Sequence, residues 1–215
     1  LAPGLLVVKH SRGEDRKFAN LAVLEGDQIK VVDHQAARKP GAPKVLAALF
    51  GLDLPGAVPH SLNPLVQLAI SIRAHPHGGT LLMVPSGSTS WAESLVHPVR
   101  YSVSPAFSRL AELVKEPEDD QHDRWVASFR KTIDGVAGLT AVDGATVISD
   151  DFSLLAFGAM IARHNGGEQV DHVRLVEPFE GSVPLVISTA QLGGTRHLSA
   201  AQFVNDQRDS TAFVA

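Results

Sequence analysis

Short apolar runs alternate along this chain with segments of helical periodicity, and this alternation restricts the possible fold more than any other feature. Runs such as residues 80–84 (TLLMV) and 184–188 (PLVIS) have the length and composition of buried strands. In residues 65–72, by contrast, apolar side chains recur on one helical face. Because hairpin-like strand pairs accompany the helices, we predict an α+β or α/β fold with a mixed β-sheet flanked by helices.

The N-terminal quarter of the chain is patterned differently from the rest. It contains short strand-like runs, a turn signal (EGDQ, residues 25–28) and a Pro/Gly/Lys-rich connector (residues 37–44) that leads into a short predicted helix ending near Phe50. The strand-like runs are residues 5–8, 18–24 and 29–32. We therefore predict a smaller β-rich region over residues 1–60.

The remaining residues, 61–215, are predicted to form a single larger domain. Asn63 is the expected N-cap of its first helix, with Pro64 at the first helical position, where its missing N–H costs nothing. Three further helices are expected, and residues 116–123 are expected to form an acidic surface linker. These helices are predicted to run from Ser104 to about Val114, from Trp125 to about Ala137 and from Thr195 to about Val204. Since residues 210–215 have a strand-like pattern, we expect the domain to continue beyond them.

Charge and cysteine content exclude several classes of function. The formal net charge is −4, so no global positive field favours nucleic acid, and we expect no nucleic-acid partner. The chain has no cysteine, which excludes disulfides and thiolate metal sites and favours the reducing cytoplasm. No apolar run reaches the roughly 18 residues that span a bilayer, so we expect no membrane segment.

The stretch LGGTRH (residues 192–197) has the residue types of an anion-binding corner. Gly193 and Gly194 permit positive φ angles and a close approach to a ligand. If Thr195 caps the following helix, the unpaired first-turn amides favour a phosphate. Arg196 adds a planar fork of donors, and His197 adds another donor. The alternative is an ordinary turn with a surface arginine.

A second candidate is Asp143-Gly144-Ala145, directly before a strand-like run. A carboxylate at a strand edge can hold Mg²⁺ or Mn²⁺, or accept a hydrogen bond from a ribose hydroxyl. The two small residues after it leave room for a sugar or a base. The alternative is a plain Asp-Gly turn.

Histidines and tryptophans offer weaker candidates. His75 and His77 lie in a His-Pro-His-Gly-Gly stretch that reads more simply as the end of a helix than as a metal site. Trp91 and Trp125 have apolar neighbours, so we expect both to act as packing anchors.

Taken together and in this order, the two motifs resemble the diadenylate cyclase (DisA N-terminal-like) domain. That family has an Asp-Gly-Ala motif on a strand and a Gly-Thr-Arg-His-Arg motif at a helix start. The resemblance covers roughly residues 71–215 and is nearest to the divergent sensor-domain branch (DACNV-type), which has an extra N-terminal region.

The resemblance implies a nucleotide site, with ATP or a cyclic dinucleotide as ligand. Asp143 would be the catalytic residue and metal ligand, activating a ribose 3′-hydroxyl with Mg²⁺ or Mn²⁺. Gly144 and Ala145 would line the nucleotide. The phosphate-binding residues would be Gly194, Thr195, Arg196 and His197. In an active member, two domains meet face to face as a homodimer and condense two ATP into cyclic di-AMP, releasing pyrophosphate.

One departure from the family pattern bears on catalysis. Leu198 stands where the family has its second arginine, so a positive charge is missing where the transition state develops negative charge. We therefore predict a non-catalytic, nucleotide-binding sensor domain. An active diadenylate cyclase is the alternative, and an unrelated fold in which the two motifs coincide by chance is a third reading.

Overall fold

The computed structural model describes residues 5–12, 17–25, 28–33, 63–115, 122–177 and 179–215. The chain divides into two compact units. The first comprises Leu1–Val66 and Arg174–Val186, and the second comprises Gln67–Val173 and Ile187–Ala215. The predicted boundary between residues 60 and 61, the connector at residues 37–44 and the short helix near Phe50 lie outside the described residues.

The first unit contains an antiparallel three-stranded sheet in the order β1-β2-β3. Its strands are β1 (Leu5–Arg12), β2 (Lys17–Glu25) and β3 (Gln28–Val31). The three predicted strands are confirmed, and Glu25 pairs with Gln28 across the turn predicted between them. After β3, Val32 forms a β-bridge with Phe179, and Lys30 forms an ion pair of 3.0 Å with Glu177.

A five-stranded mixed sheet forms the centre of the second unit, in the order β10-β4-β6-β7-β5. Its strands are β4 (Thr80–Val84), β5 (Tyr101–Phe107), β6 (Ala145–Ser149), β7 (Leu154–Ala159) and β10 (Thr211–Val214). The two central strands, β4 and β6, run parallel, and every residue of both is buried. All other neighbours in the sheet are antiparallel. The predicted fold class, a mixed sheet with flanking helices and a small N-terminal β region, is confirmed.

Four α-helices are described. They are α1 (Pro64–Ala74), α2 (Arg109–Lys115), α3 (His122–Leu139) and α4 (Thr195–Asp206). The predicted N-cap of α1 is confirmed, since the Asn63 carboxamide oxygen accepts from the Leu65 amide at 3.1 Å. In α4, Phe203 is fully buried among Leu82, Val84 and Leu95, which fixes this helix against the sheet. None of the helices in the described part of the chain combines the length and apolarity needed to cross a membrane.

Two sequence predictions in this unit are wrong in part. Ser104 and Pro105 do not open a helix; they lie in edge strand β5, and α2 begins at Arg109. Proline is tolerated there because β5 is at the sheet edge and its pairing with β7 is interrupted between Ser102 and Phe107. The last two residues of the predicted acidic linker, 122 and 123, belong to α3, and residues 116–121 lie outside the described residues.

A separate two-stranded sheet is formed by β8 (His172–Leu175) and β9 (Leu185–Ser188). Strand β9 matches the strand-like run predicted at residues 184–188, whereas β8 was not predicted. The pattern His-Val-Arg-Leu is too short to distinguish a strand from a loop by periodicity.

Candidate functional site

Several chain segments meet at one edge of the five-stranded sheet, the edge at which β4 and β6 begin and β7 ends. Leu81 of β4 is level with Thr146 of β6 in the parallel pair, so the residues that precede these strands are neighbours. The antiparallel strand β7 ends at the same edge, with Ala159 opposite Ala145. Any side chain directly before β4 or β6, or directly after β7, therefore belongs to this edge.

The Asp-Gly-Ala motif lies at this edge, at the start of β6. Gly144 has φ +106°, and a Cβ atom there would lie 2.6 Å from the backbone carbon of Gly158 on β7. Only glycine meets both conditions, because a left-handed backbone and a close neighbouring strand each exclude a side chain. Asp143, one residue earlier, is exposed to solvent, so its carboxylate is accessible to a ligand.

The helix start differs in detail from the prediction. Gly194, rather than Thr195, is the N-cap of α4, and Thr195 is the first helical residue. No side chain caps the helix. Gly193 has φ +143° and uses the positive φ that glycine permits, whereas Gly194 has φ −75° and does not. The His197 amide donates to the Gly194 carbonyl at 3.0 Å, whereas the amides before it in the first turn have no intrahelical acceptor.

The Arg196 and His197 side chains of this turn each contact a neighbouring segment of backbone. One guanidinium nitrogen of Arg196, Nη1, donates to the backbone carbonyl of His77 at 2.9 Å. The ring of His197 lies over Gly193, where a Cβ atom would be 2.7 Å from its Nδ1. Leu198 is 38% exposed, so an apolar side chain faces solvent one residue further along.

The hydrogen bond between Arg196 and the His77 carbonyl also shows where the two motifs lie relative to each other. His77 and Gly78 directly precede β4, and a Cβ atom on Gly78 would be 2.8 Å from Arg196 Nη1. Asp143 directly precedes β6, the parallel neighbour of β4. The structure therefore brings both predicted motifs to one edge of the sheet, on adjacent strand starts.

A cavity of about 250 Å³ opens beside α4. One wall is residues 161–163, which follow β7 at the same sheet edge, and another is the α4 face formed by Leu198, Ser199 and Gln202. Val170 and Thr189 contribute to the remaining lining. This cavity cannot be read from the sequence, because its lining comes from four separate stretches of chain that share no motif.

Hydrogen bonds from α4 fix the loop that forms the cavity wall. Gln202 accepts from the Val170 amide at 3.1 Å and donates to the Glu168 carbonyl at 3.0 Å. Asp206 accepts from the His164 amide at 2.9 Å. The Thr189 hydroxyl donates to the Val170 carbonyl at 3.0 Å. The cavity therefore has a defined shape without a ligand.

The opposite edge of the sheet carries a second polar cluster. Asp151 follows β6 and accepts hydrogen bonds from the Ser149 hydroxyl and from the Ser153 amide. The Ser149 hydrogen bond holds the pKa of the Asp151 carboxyl below its ordinary value, with smaller contributions from Ser153 and from Lys115, whose ammonium is 3.8 Å away. These groups satisfy one another within the β6–β7 turn and point to a structural role.

Within the described ranges, no group of three or more histidine, aspartate or glutamate side chains is arranged to hold a metal ion. His75 instead lies 3.2 Å from the Thr140 hydroxyl through its Nε2, and the His77 carbonyl accepts from Arg196. Asp143 alone supplies one carboxylate. Mg²⁺ is commonly bound by one or two carboxylates together with substrate phosphates, so this donor set suits a metal that arrives with a nucleotide.

Both tryptophans are packing residues, as predicted. Trp91 packs against the core cluster around Phe203, and its indole N–H donates to the Ser88 carbonyl at 3.0 Å. Trp125 stacks on Phe129 at 5.0 Å between ring centroids and donates to the Leu113 carbonyl.

Fold and site together define a class: an α+β domain with a mixed sheet, whose one edge combines an exposed carboxylate, an uncapped helix N-terminus and a preformed cavity. No protein-family model, curated protein or solved structure matches the chain. The relationship to diadenylate cyclases therefore stays a prediction from the two motifs.

Proposed function

We propose that this chain is a nucleotide-binding, non-catalytic sensor domain of the diadenylate cyclase superfamily. The observation that carries the proposal is the convergence of Asp143, the N-terminus of α4 and the cavity at one sheet edge. Although about 50 residues separate the two motifs in sequence, Arg196 contacts the residues before β4, and Asp143 directly precedes β6, the neighbour of β4.

The phosphates of the nucleotide bind at the start of α4. The N-terminus of a helix carries a partial charge of about +0.5, and its unpaired amides point outward. Arg196 adds charge-assisted hydrogen bonds at this position, and Thr195 and His197 add further donors from the same turn. Gly194, with no side chain, allows a phosphate to approach these amides closely.

The base of the nucleotide occupies the cavity. Leu198, Ser199 and Gln202 lie three to seven residues after Thr195, which is about 5–10 Å along the helix at 1.5 Å per residue. A volume of about 250 Å³ is below the roughly 300–1,000 Å³ range of pockets for drug-sized ligands, so it suits one base better than a whole nucleotide. Gly144 and Ala145, at the start of β6, leave room for the sugar.

Leu198 is the reason for proposing a sensor rather than an enzyme. Phosphoryl transfer depends on positioning and on neutralising the charge that develops at phosphorus. Loss of one donor from such a site costs about 3–4 kcal/mol of transition-state stabilisation. Binding needs no such donor at the reacting phosphate, so Arg196 and the helix amides suffice for it.

The absence of cysteine is the basis for proposing a cytoplasmic location.

An active diadenylate cyclase is the second candidate, because Asp143 is exposed at the start of β6. In that case Asp143 would hold Mg²⁺ or Mn²⁺ and help activate the ribose 3′-hydroxyl. Two copies would meet as a face-to-face homodimer, so that each 3′-hydroxyl attacks the α-phosphate of the other ATP and releases pyrophosphate.

Binding and turnover measurements on the full chain test both candidates. Nucleoside triphosphate binding by calorimetry should be saturable and weakened roughly 10- to 100-fold in Arg196→Ala, the range for a lost charge-assisted hydrogen bond. Arg130→Ala, an exposed arginine on α3, is the matched control and should bind normally. Formation of cyclic di-AMP from ATP and Mn²⁺, abolished in Asp143→Asn, would replace the sensor with the enzyme. Absence of both binding and product would refute the superfamily assignment.

A further inference from the structure

The cavity beside α4 contains a charged side chain that the two motifs do not account for. Among the described residues that line the cavity, Arg163 is the only one with a formal charge, and the opposite wall is apolar at Leu198. Its guanidinium forms no ion pair or side-chain hydrogen bond within the described part of the chain. Arg163 is exposed, so its five N–H donors are open to solvent and to a ligand in the cavity that it lines.

The backbone on both sides of Arg163 is fixed. The Ala162 amide donates to the Ser94 carbonyl at 2.9 Å, and the His164 amide donates to the Asp206 carboxylate at 2.9 Å. The facing wall is held by Gln202, whose amide group is already engaged by the backbone at positions 168 and 170. Gln169 likewise donates to Asp171 at 3.2 Å. Ser199 adds one hydroxyl and Gln169 keeps its Oε1 as an acceptor, but among the described lining residues Arg163 alone supplies a pair of parallel donors.

Arginine can donate hydrogen bonds but cannot accept them, and this distinguishes between the purines. Guanine and hypoxanthine present two adjacent acceptors, O6 and N7, which match the guanidinium fork. Adenine presents one acceptor, N7, beside the N6 amino donor, which would face another donor. A glutamine amide has the reverse preference, because it supplies one donor and one acceptor to N7 and N6.

We propose that Arg163 is the specificity-determining residue of the site and selects a 6-oxopurine nucleotide, with a guanine base in the cavity. The inference rests on the proposed function, since it requires the phosphates at α4 and the base in the cavity. It differs from the adenine nucleotide that the family resemblance implies.

The test compares GTP, ITP and ATP by calorimetry in the presence of Mg²⁺, using the full chain. GTP and ITP should bind about 10-fold more tightly than ATP, within the discrimination range of one bidentate arginine–base contact. In Arg163→Gln the preference should shift toward ATP. Arg163→Lys, which keeps the charge but loses the fork, should lose the preference as well. Arg130→Gln is the matched control and should keep it, and thermal melting should show that all variants are folded.

The outcomes distinguish a failure of the guanine assignment from a failure of the proposed function. Equal or tighter binding of ATP by the wild type overturns the guanine assignment while leaving nucleotide binding intact. A preference for GTP that persists in Arg163→Gln shows that another group reads the base. Full affinity in Arg163→Lys shows that the residue contacts a phosphate. No binding of any of the three nucleotides overturns the proposed function and this inference together.

Discussion

The hydroxyl of Thr146 is fully buried in the centre of the five-stranded sheet and has no hydrogen-bond partner within the described residues. A buried polar group without a partner costs about 1–3 kcal/mol of desolvation free energy. Its central position on β6 leaves little space for rearrangement. The side chain is therefore tolerated for its shape and β-branching rather than for its polarity.

Replacing Thr146 with valine should stabilise the protein. Thr146→Val keeps the branched shape and removes the unpaired hydroxyl, so we expect the free energy of unfolding to rise by about 1 kcal/mol. Urea denaturation followed by circular dichroism measures this. The matched control is Thr140→Val, which removes an equally buried hydroxyl that donates to the Ala137 carbonyl at 2.7 Å and should be destabilising. A loss of stability in both variants would contradict the assignment.

Asp151 gives the protein an acid-sensitive contribution to stability. Its carboxyl has a lowered pKa in the folded state, chiefly because the ionised form accepts the Ser149 hydrogen bond. A lowered folded-state pKa means that the stabilisation is present above the ordinary aspartate range and is lost as the pH falls through the folded-state value. Its size is limited by solvent screening, because the side chain is 38% exposed.

The pH dependence is measurable with one substitution. Asp151→Asn should be less stable than the wild type at neutral pH, and the difference should shrink as the pH falls below about 4, near the ordinary aspartate value. Melting temperatures across this pH range give the difference directly. A melting-temperature difference that stays constant down to the lowest pH measured would mean that ionisation of Asp151 contributes nothing to stability.

At the scale of elements, some glycines are required by a turn, whereas others are only tolerated within a helix. Gly144 combines a left-handed φ with a backbone neighbour at 2.6 Å from a Cβ position. Gly135, in the middle of α3, is exposed and has nothing within 4 Å of its Cβ position. The same substitution should therefore have opposite effects at the two positions.

Gly144→Ala should destabilise the β6–β7 pair by several kcal/mol, since both strain and steric overlap arise. Gly135→Ala should stabilise the protein by about 0.5–1 kcal/mol, because alanine is the better helix former. Thermal denaturation of the two single variants measures both effects. If Gly144→Ala has the same melting temperature as the wild type, Gly144 does not have the left-handed conformation described before β6.

Elements with local signals were predictable from the sequence, and elements defined by distant partners were not. The start of α1 was found because Asn63 and Pro64 carry the capping information within two residues. Strand β5 was missed because Ser104-Pro105 is typical of a helix start, and only its pairing with β7 reveals the strand. In the site, the motif positions were located, whereas Arg163 and Gln202 were not, since the cavity exists only once four chain segments meet.

At the scale of the whole molecule, the two compact units have different optical reporters. Both tryptophans, Trp91 and Trp125, belong to the second unit, so indole fluorescence follows that unit alone. In the first unit, Phe179 bridges to Val32 and lies beneath the Lys30 ammonium at 5.3 Å. Far-UV circular dichroism follows the strands of both units. The two signals can therefore be separated in one titration.

Phe179→Ala should lower the urea midpoint of a dichroism component while leaving the fluorescence midpoint unchanged, because Phe179 belongs to the first unit and both tryptophans belong to the second. Phe129→Ala is the control: this residue is buried and stacks on Trp125, so the fluorescence midpoint should fall with a cost of about 3–5 kcal/mol. Equal shifts of the fluorescence midpoint in the two variants would show that the units unfold as one.

The hydrogen bond between Arg196 and the His77 carbonyl has an entropic consequence. An arginine side chain loses about 1.5–2 kcal/mol of rotamer freedom when it is ordered. This hydrogen bond restricts the exposed Arg196 side chain before any ligand binds, so part of its conformational entropy is already lost in the folded protein. If an anion binds at α4 as proposed, the backbone before β4 contributes to its affinity without touching it.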